Sequence, residues 1–592
     1  MSLDVVDLAV YILLEMSRVK STAPIDPPLG PWELRSHTLG ELPLINRFRD
    51  RLSMDDILAR YVPHTDRRLR LSPAKALGLL VRNVLQARAP VYALQEWASA
   101  FDPALLGLAA EDVAALNDDR VGRSLDRLFD ADRASLLTEV VVHAVREFNI
   151  DLEQLHNDST TVTFSGEYAG ANGGEQRGKP TLRITHGHNK DQRPDLKQLL
   201  WILTVSADGA VPVHYRACHG NTTDDQTHIE TWNTLRALIG RADFLYVGDS
   251  KLCTHPALTH IVGQGGRFLT VLPRTRREDK WFRDWIQTHS PDWVEVLRRR
   301  HPRRENGPPD IYWVFESPLR SAEGFRILWV WSSQKTEHDK RARQDCIEKG
   351  ILAAEALETR LRGPRARIRN RAALANAAEQ ALHLAGAQRW LTFSIHEQPE
   401  DSFKQENRGR PGSGTRYVRQ RRPRFSLQWS PRTDTIDYDA RTDGMFPLLS
   451  NDDTLSGRDL LEKSKVQPQL EKRHEQFKTV RIVAPVLLKS ATRIEALLMI
   501  YFLAMLLDAL IEREMRRAMA AANMRSLPLY PEGRRCKAPT AHRLFEIFGP
   551  LQRHQLFQSG RLVQCFEPKL SDLQVQILRF LAVPRSAYAI HR

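Results

Sequence analysis

The chain has 592 residues, too many for one ordinary core, and at roughly 100–200 residues per domain it calls for three or four units. Its 86 Lys and Arg against 72 Asp and Glu leave a net charge of +14, which favours a polyanionic partner such as DNA or a membrane surface, with plain solubility as the alternative. The five cysteines are scattered without a C-x-x-C pair, which argues against a disulfide framework and a zinc ribbon and fits a reducing compartment.

Met1–Glu15 carries Asp4, Asp7 and Glu15 and lacks the basic leader of a signal peptide. Residues 35–150 read as helical: Pro73 to Gln86 has Leu77, Leu80 and Val84 at helical spacing, and Val121–Leu128 and Ala134–Phe148 follow. After Asp151 the pattern turns to strands. Leu155–Phe164 is rich in Thr and Val, and Leu199–Ser206 and Val211–Ala217 are joined through Asp208-Gly209, a hairpin signal. His228–Ile239 reads as a helix, Phe244–Val247 as a buried strand ending in Gly248-Asp249, Pro256–Val262 as a helix and Arg267–Leu272 as a strand. Three strands followed by helix, strand, helix, strand is the order of a ribonuclease-H-like mixed sheet with helices on its faces.

From 280 to 430 the character changes. Trp281, Trp285, Trp293, Trp313, Trp329 and Trp331 crowd together and read as a core, Phe325–Ser332 reads as a strand, and Asp339–Leu361 and Ala372–Ala385 read as a helix pair. Arg-rich stretches interrupt at 298–300, 360–371 and 408–424, and the last, with Gly409, Gly412 and Gly414, reads as a mobile loop that contacts DNA or serves as a linker. Ile482–Met519 contains a long helix. Its apolar stretch, Glu495 to Asp508, is shorter than the ~20 residues a bilayer needs and reads as a buried core helix, so no membrane span is expected. Ala541–Phe548 and Asp572–Leu581 are further helices. The expected organisation is a helical, DNA-end-binding domain over 1–150, a catalytic sheet domain over 151–279 and 431–520, an α+β insertion over 280–430 and a helical region over 521–592.

Two acids stand out. Asp158 lies inside the first strand of the sheet domain and Asp249 ends a buried strand; a carboxylate beside an apolar strand needs a partner. A divalent cation is one, because Mg²⁺ and Mn²⁺ prefer carboxylate oxygen. The alternative is that each Asp caps its strand. In Gln467–Lys478, Glu471, Glu475 and Lys478 fall on one helix face, which by spacing alone is also an ordinary solvated face. His186 and His188 lack a nearby Cys pair and argue little for zinc.

The Gln467–Lys478 segment resembles the Y-x-x-R-x-x-x-E-x-x-x-x-x-x-K signature of bacterial insertion-sequence transposases, the group named for insertion sequence 4. Glu471 and Lys478 match its glutamate and lysine; Ser464 and Gln467 stand at its tyrosine and arginine positions. Asn157–Thr160, Val247–Ser250, His186–Lys190, Asp195–Leu199, Gly220–Asp224 and Asp443–Asn451 are similar to further motifs of the group, and together they look most like the insertion sequence 1634 family, over residues 35 to 585.

The resemblance implies a two-aspartate, one-glutamate (DDE) transposase. Asp158, Asp249 and Glu471 would hold two Mg²⁺ (or Mn²⁺) ions per active site, with water or a DNA 3′-hydroxyl attacking phosphorus in line. Lys478 would contact a phosphate near the element's end, and Lys190, Lys251, Arg274 and Arg473 are candidate DNA contacts. The implied partners are the element's terminal inverted repeats and target DNA, held by a homodimer in a synaptic complex at the bacterial nucleoid in the cytoplasm, with no membrane. A host nuclease on the same fold and an inactive, DNA-binding copy remain the competing readings.

Overall fold

A computed structural model describes residues 31–589 except 64–70, 87–88, 301–306, 364–367, 369 and 481–487. The N-terminal reading of Met1–Glu15, part of the 360–371 stretch and the start of the Ile482–Met519 helix lie outside the described residues. The chain divides into one unit built from its two ends, up to Val140 and from Ala496, and another spanning Val141–Glu495.

The second unit is organised by its strands: β1 (Gln154–Phe164), β2 (Lys197–Ser206), β3 (Pro212–Cys218), β4 (Leu245–Gly248), β5 (Arg267–Val271), β6 (Val294–Arg299), β7 (Asp310–Glu316) and β8 (Arg326–Ser332). A hairpin of β9 (Leu391–Gln405) and β10 (Tyr417–Pro431) precedes β11 (Met445–Ser450). Nine of these form one sheet in the order β3-β2-β1-β4-β5-β11-β8-β7-β6. The turn between β2 and β3 runs through Gly209 and Ala210, both at positive φ (81° and 53°), a conformation in which glycine carries no steric penalty. β4 pairs parallel with β1 and β5, because each step between them crosses over through a helix: α1 (His228–Ile239) before β4 and α2 (His255–Gly263) before β5. β4 is buried along its whole length, which is why it reads as a continuous apolar run. A large mixed sheet flanked by helices, with β3-β2-β1-β4-β5 in ribonuclease-H-like order, is the fold class expected from the sequence.

The region read as an insertion is in part sheet. β6, β7 and β8 extend the sheet antiparallel beyond β11, whose partners are β5 on one side and β8 on the other. The tryptophans belong to this extension. Phe282, from α3 (Arg277–Trp285), stacks on Trp329 at 3.7 Å, and Trp313 stacks on Trp331 at 4.5 Å. Leu460 and Leu461 of α6 (Gly457–Ser464) join a core cluster with Leu245, Leu269, Val314, Leu328 and Leu448. What remains of the insertion is α4 (Ser333–Arg362), α5 (Arg371–Leu384) and the β9–β10 hairpin. The Arg-rich stretch read as a loop is largely β10, because its Tyr417–Arg424 pairs residue for residue with β9; only 406–416 turns back.

The unit built from the chain ends contains helices Leu42–Arg51, Met54–Tyr61, Pro73–Gln86, Asp118–Asp130, Ala541–Phe548 and Asp572–Phe580. The purely helical reading of these ends misses an antiparallel sheet of Trp32–Thr38, Gln552–Gln558 and Arg561–Phe566, whose outer strands lie more than 500 residues apart in sequence. The apolar stretch at Glu495–Asp508 sits in a helix of 31 residues, Ala491–Ala521, long and apolar enough to cross a membrane and longer than the stretch itself implied. In its most apolar window, 94% is buried inside the protein.

Candidate active site

Strand register brings the two aspartates together. The last β1–β4 pair is Asn157↔Gly248, so Asp158 and Asp249 are the next residues along two neighbouring parallel strands. Gly248 leaves room for the turn that follows: a Cβ there would meet Leu252 at 3.1 Å. Asp249 caps that turn, its Oδ1 accepting from the Lys251 N–H at 2.9 Å, while its carbonyl accepts from the Thr270 hydroxyl at 2.6 Å. The Asp158 carboxylate accepts from the Ser159 N–H at 2.7 Å and lies 3.7 Å from both the Lys190 ammonium and His474 Nδ1. Burial pushes its carboxyl up to about 6; Lys190 opposes this, while Asp249 and Asp224 add to it.

Asp224 is a member of this corner that sequence reasoning passed over as a site residue. It accepts from the Ser159 hydroxyl at 2.7 Å and pairs with Lys190 at 2.9 Å. Burial acts to raise its carboxyl, but the bonds from Lys190 and Ser159 prevail and hold it below the usual range. Lys190 also donates to the Ser159 carbonyl and hydroxyl, both at 2.7 Å, so one ammonium serves two aspartates. The signal was present in Gly220–Asp224, which was read only for its resemblance. His228 follows within the first turn of α1. It is buried beneath the same carboxylates, bonded to the Tyr246 hydroxyl at 3.1 Å, and burial lowers its pKa to about 4 although Asp249 and Asp224 act the other way.

The glutamate helix α7 (Gln467–Glu475) packs on β1 and β2. Phe477, just beyond it, stacks on Trp201 of β2 at 4.8 Å. Gln467, at the arginine position of the signature, bonds the buried His156 at 2.7 Å and the Asn157 carbonyl at 3.4 Å, so it fastens the helix to the strand that carries Asp158. His474 is the α7 side chain that reaches Asp158, and burial, reinforced by Lys190 and Lys478, lowers its pKa to about 3. Glu471 is exposed, and among the described residues no group of three or more His, Cys, Asp or Glu side chains is placed to hold a metal ion.

Asp158 and Asp249 nevertheless fit a divalent cation in their chemistry. Their donors are hard carboxylate oxygens, which such cations prefer, and the Asp158 carboxyl is raised chiefly by burial, a cost that a bound cation would offset.

The basic candidates fall in different places. Lys190 and Lys251 line a cleft of about 490 Å³ with His188, Thr222, Asp224 and Thr275. Lys478 pairs with Asp191. Arg274 lines a separate hollow of about 200 Å³ with Asp339, Arg343 and Asp443. Arg473 is buried, donating to the Gly209 and Ala210 carbonyls at 3.1 and 3.0 Å, so its guanidinium braces the β2–β3 turn.

A family described as a domain of unknown function (DUF4277) matches residues 34–142. No curated protein matches the chain. Among solved structures, the piggyBac transposase synaptic complex with hairpin DNA is similar at a TM-score of 0.28 and 8% identity, over 49% of this chain. The match spans 60% of that chain, and likeness at this level says nothing about activity.

Proposed function

We propose that the chain is a DNA transposase of the DDE class, related to the insertion sequence 4 group and most like the insertion sequence 1634 family. The observation that carries this reading is the Asp158–Asp249 pair, side by side just past the last Asn157↔Gly248 pair of two adjacent parallel strands in a ribonuclease-H-like sheet, with burial raising one of the two carboxyls. Asp158 and Asp249 would hold Mg²⁺ or Mn²⁺, with Glu471 as the third carboxylate. Two such ions per site supply Lewis-acid activation of the attacking oxygen and charge neutralisation at the leaving one. The chain's own contribution is positioning. Ser159 and Lys190 orient Asp158, the Lys251 N–H orients Asp249, and Gln467 fixes the helix that carries Glu471. Lys190 and Lys251 in the cleft and Lys478 beside it would steer phosphate to this corner. The partners are the element's terminal repeats and target DNA, bridged by a homodimer.

The outward position of Glu471 favours a second reading, an inactive copy that binds element ends without cutting them. Incubation with element-end DNA and Mg²⁺ separates these readings. Cleavage with joining supports the transposase, cleavage alone points to a nuclease, and binding alone points to the inactive copy.

A further inference from the structure

The β9–β10 hairpin is an arm with no core of its own. Its root is held: Ile395, Phe425 and Leu427 pack with Leu357 and Leu361 of α4 and Leu374 of α5, and Glu358 accepts from the Leu427 N–H at 2.6 Å. Beyond the Glu397↔Phe425 pair, the ladder runs from Gln398↔Arg424 to Gln405↔Tyr417 with its side chains exposed or half-buried. These eight pairs extend roughly 25 Å at ~3.3 Å per residue. An isolated two-stranded ribbon is marginal in water, so burial does not explain it.

Its charge does. Residues 398–424 hold eight Lys and Arg against three Asp and Glu, a net +5 of the chain's +14. The two acids on the ladder, Glu400 and Asp401, engage Arg419, Arg421 and Arg424. Lys404, Arg408, Arg410, Arg416 and Arg422 make no ion pair among the described residues. Exposed Phe403 lies directly across from Arg419, and exposed Tyr417 is its diagonal neighbour. Pro399 faces Pro423 across the ladder, and prolines on both strands discourage pairing with the edge of another sheet. The arm therefore presents charged side chains, with its edges a poor template for a further strand.

We propose that this arm is a duplex-DNA-holding ribbon: a two-stranded β-ribbon fits the major groove, and the Arg side chains on its faces and tip reach the flanking phosphates. The inference rests on the DNA reading given above and names the surface that supplies much of the sequence-independent affinity.

The test uses the full chain with Arg408→Ala, Arg410→Ala, Arg416→Ala and Arg422→Ala combined, four exposed side chains whose removal leaves the root intact. Fluorescence anisotropy with a random-sequence duplex is measured from low to moderate salt. Loss of four phosphate contacts should flatten the log–log salt dependence by about 3–4 and weaken binding at least about tenfold at moderate salt. Wild-type affinity and slope in the variant would overturn the proposal. So would a changed sedimentation-defined oligomer with unchanged DNA affinity, or tighter wild-type binding to single-stranded RNA than to the duplex. If the wild type holds duplex through the arm yet never cuts element ends, the transposase reading fails and the arm stands. If it cuts while the arm variant binds random duplex normally, the arm inference fails alone.

Discussion

Replacing Asp158 by Asn should stabilise the metal-free protein while abolishing cleavage. In the folded chain the carboxyl titrates at about 6 against a usual 3.8, so the folded state binds its proton more tightly than the unfolded state. Stability is therefore lost as pH rises from 3.8 to about 6 and stays lost above it. A displacement of that size corresponds to about 3 kcal/mol. The side chain is 21% exposed, so solvent screens part of that cost, and about 1–3 kcal/mol is the expected gain on neutralisation. The introduced amide retains an oxygen to accept from the Ser159 N–H. For a unit of this size, the gain amounts to a rise of about 1–4 °C in the thermal midpoint of the transition that melts the sheet. The assay is thermal unfolding in EDTA at pH 7.5 and pH 5. Lowering the pH to 5 should destabilise both proteins, because His156, His228 and His474 are held neutral in the fold, and the variant should lose more than wild type, which recovers the Asp158 contribution. Adding Mg²⁺ should raise the wild-type midpoint by mass action and leave the variant unmoved. A lower midpoint for Asp158→Asn at pH 7.5 without metal would refute the argument, because it would mean that the carboxylate is already compensated and serves only as a structural cap.

Glu471→Ala should leave the thermal midpoint unchanged to within about 0.5 kcal/mol, because the side chain is exposed, and should eliminate cleavage of element-end DNA; retained cleavage removes Glu471 from the metal site. Gln467→Arg, which restores the family's residue, should destabilise by about 1–3 kcal/mol in denaturant titration, because a guanidinium would replace the acceptor that now serves buried His156. An unchanged midpoint would show that the helix is fastened elsewhere. Gly220→Ala should lower stability by at least about 3 kcal/mol, since its Cβ would lie 2.0 Å from the Gln198 carbonyl oxygen and 2.5 Å from that of Thr185. A soluble, fully active Gly220→Ala protein would contradict that packing.

The strands of the β3-β2-β1-β4-β5 half-sheet were legible because each buries its side chains in a pattern that residue order displays, and because Asp208-Gly209 and Gly248-Asp249 mark their ends. Asp158 and Asp249 could be singled out from the same local signs, since an acid inside or directly after a buried strand stands out chemically. Other features depend on partners far away in the chain, which composition and spacing do not reveal. β6–β8 join the main sheet only because β11 returns to sit between β5 and β8. Arg408–Arg424 looks like loop because its glycines and arginines dominate, yet pairing with β9 makes most of it strand. Arg473 looks like a surface cation until Gly209 and Ala210 turn their carbonyls toward it, and Asp224 matters because Lys190 reaches it and Asp158 together. Local burial pattern and turn chemistry determined the elements and the aspartate pair. Strand register and long-range hydrogen bonding, which act between residues tens to hundreds of positions apart, decided which side chains share the corner and which way the glutamate helix faces.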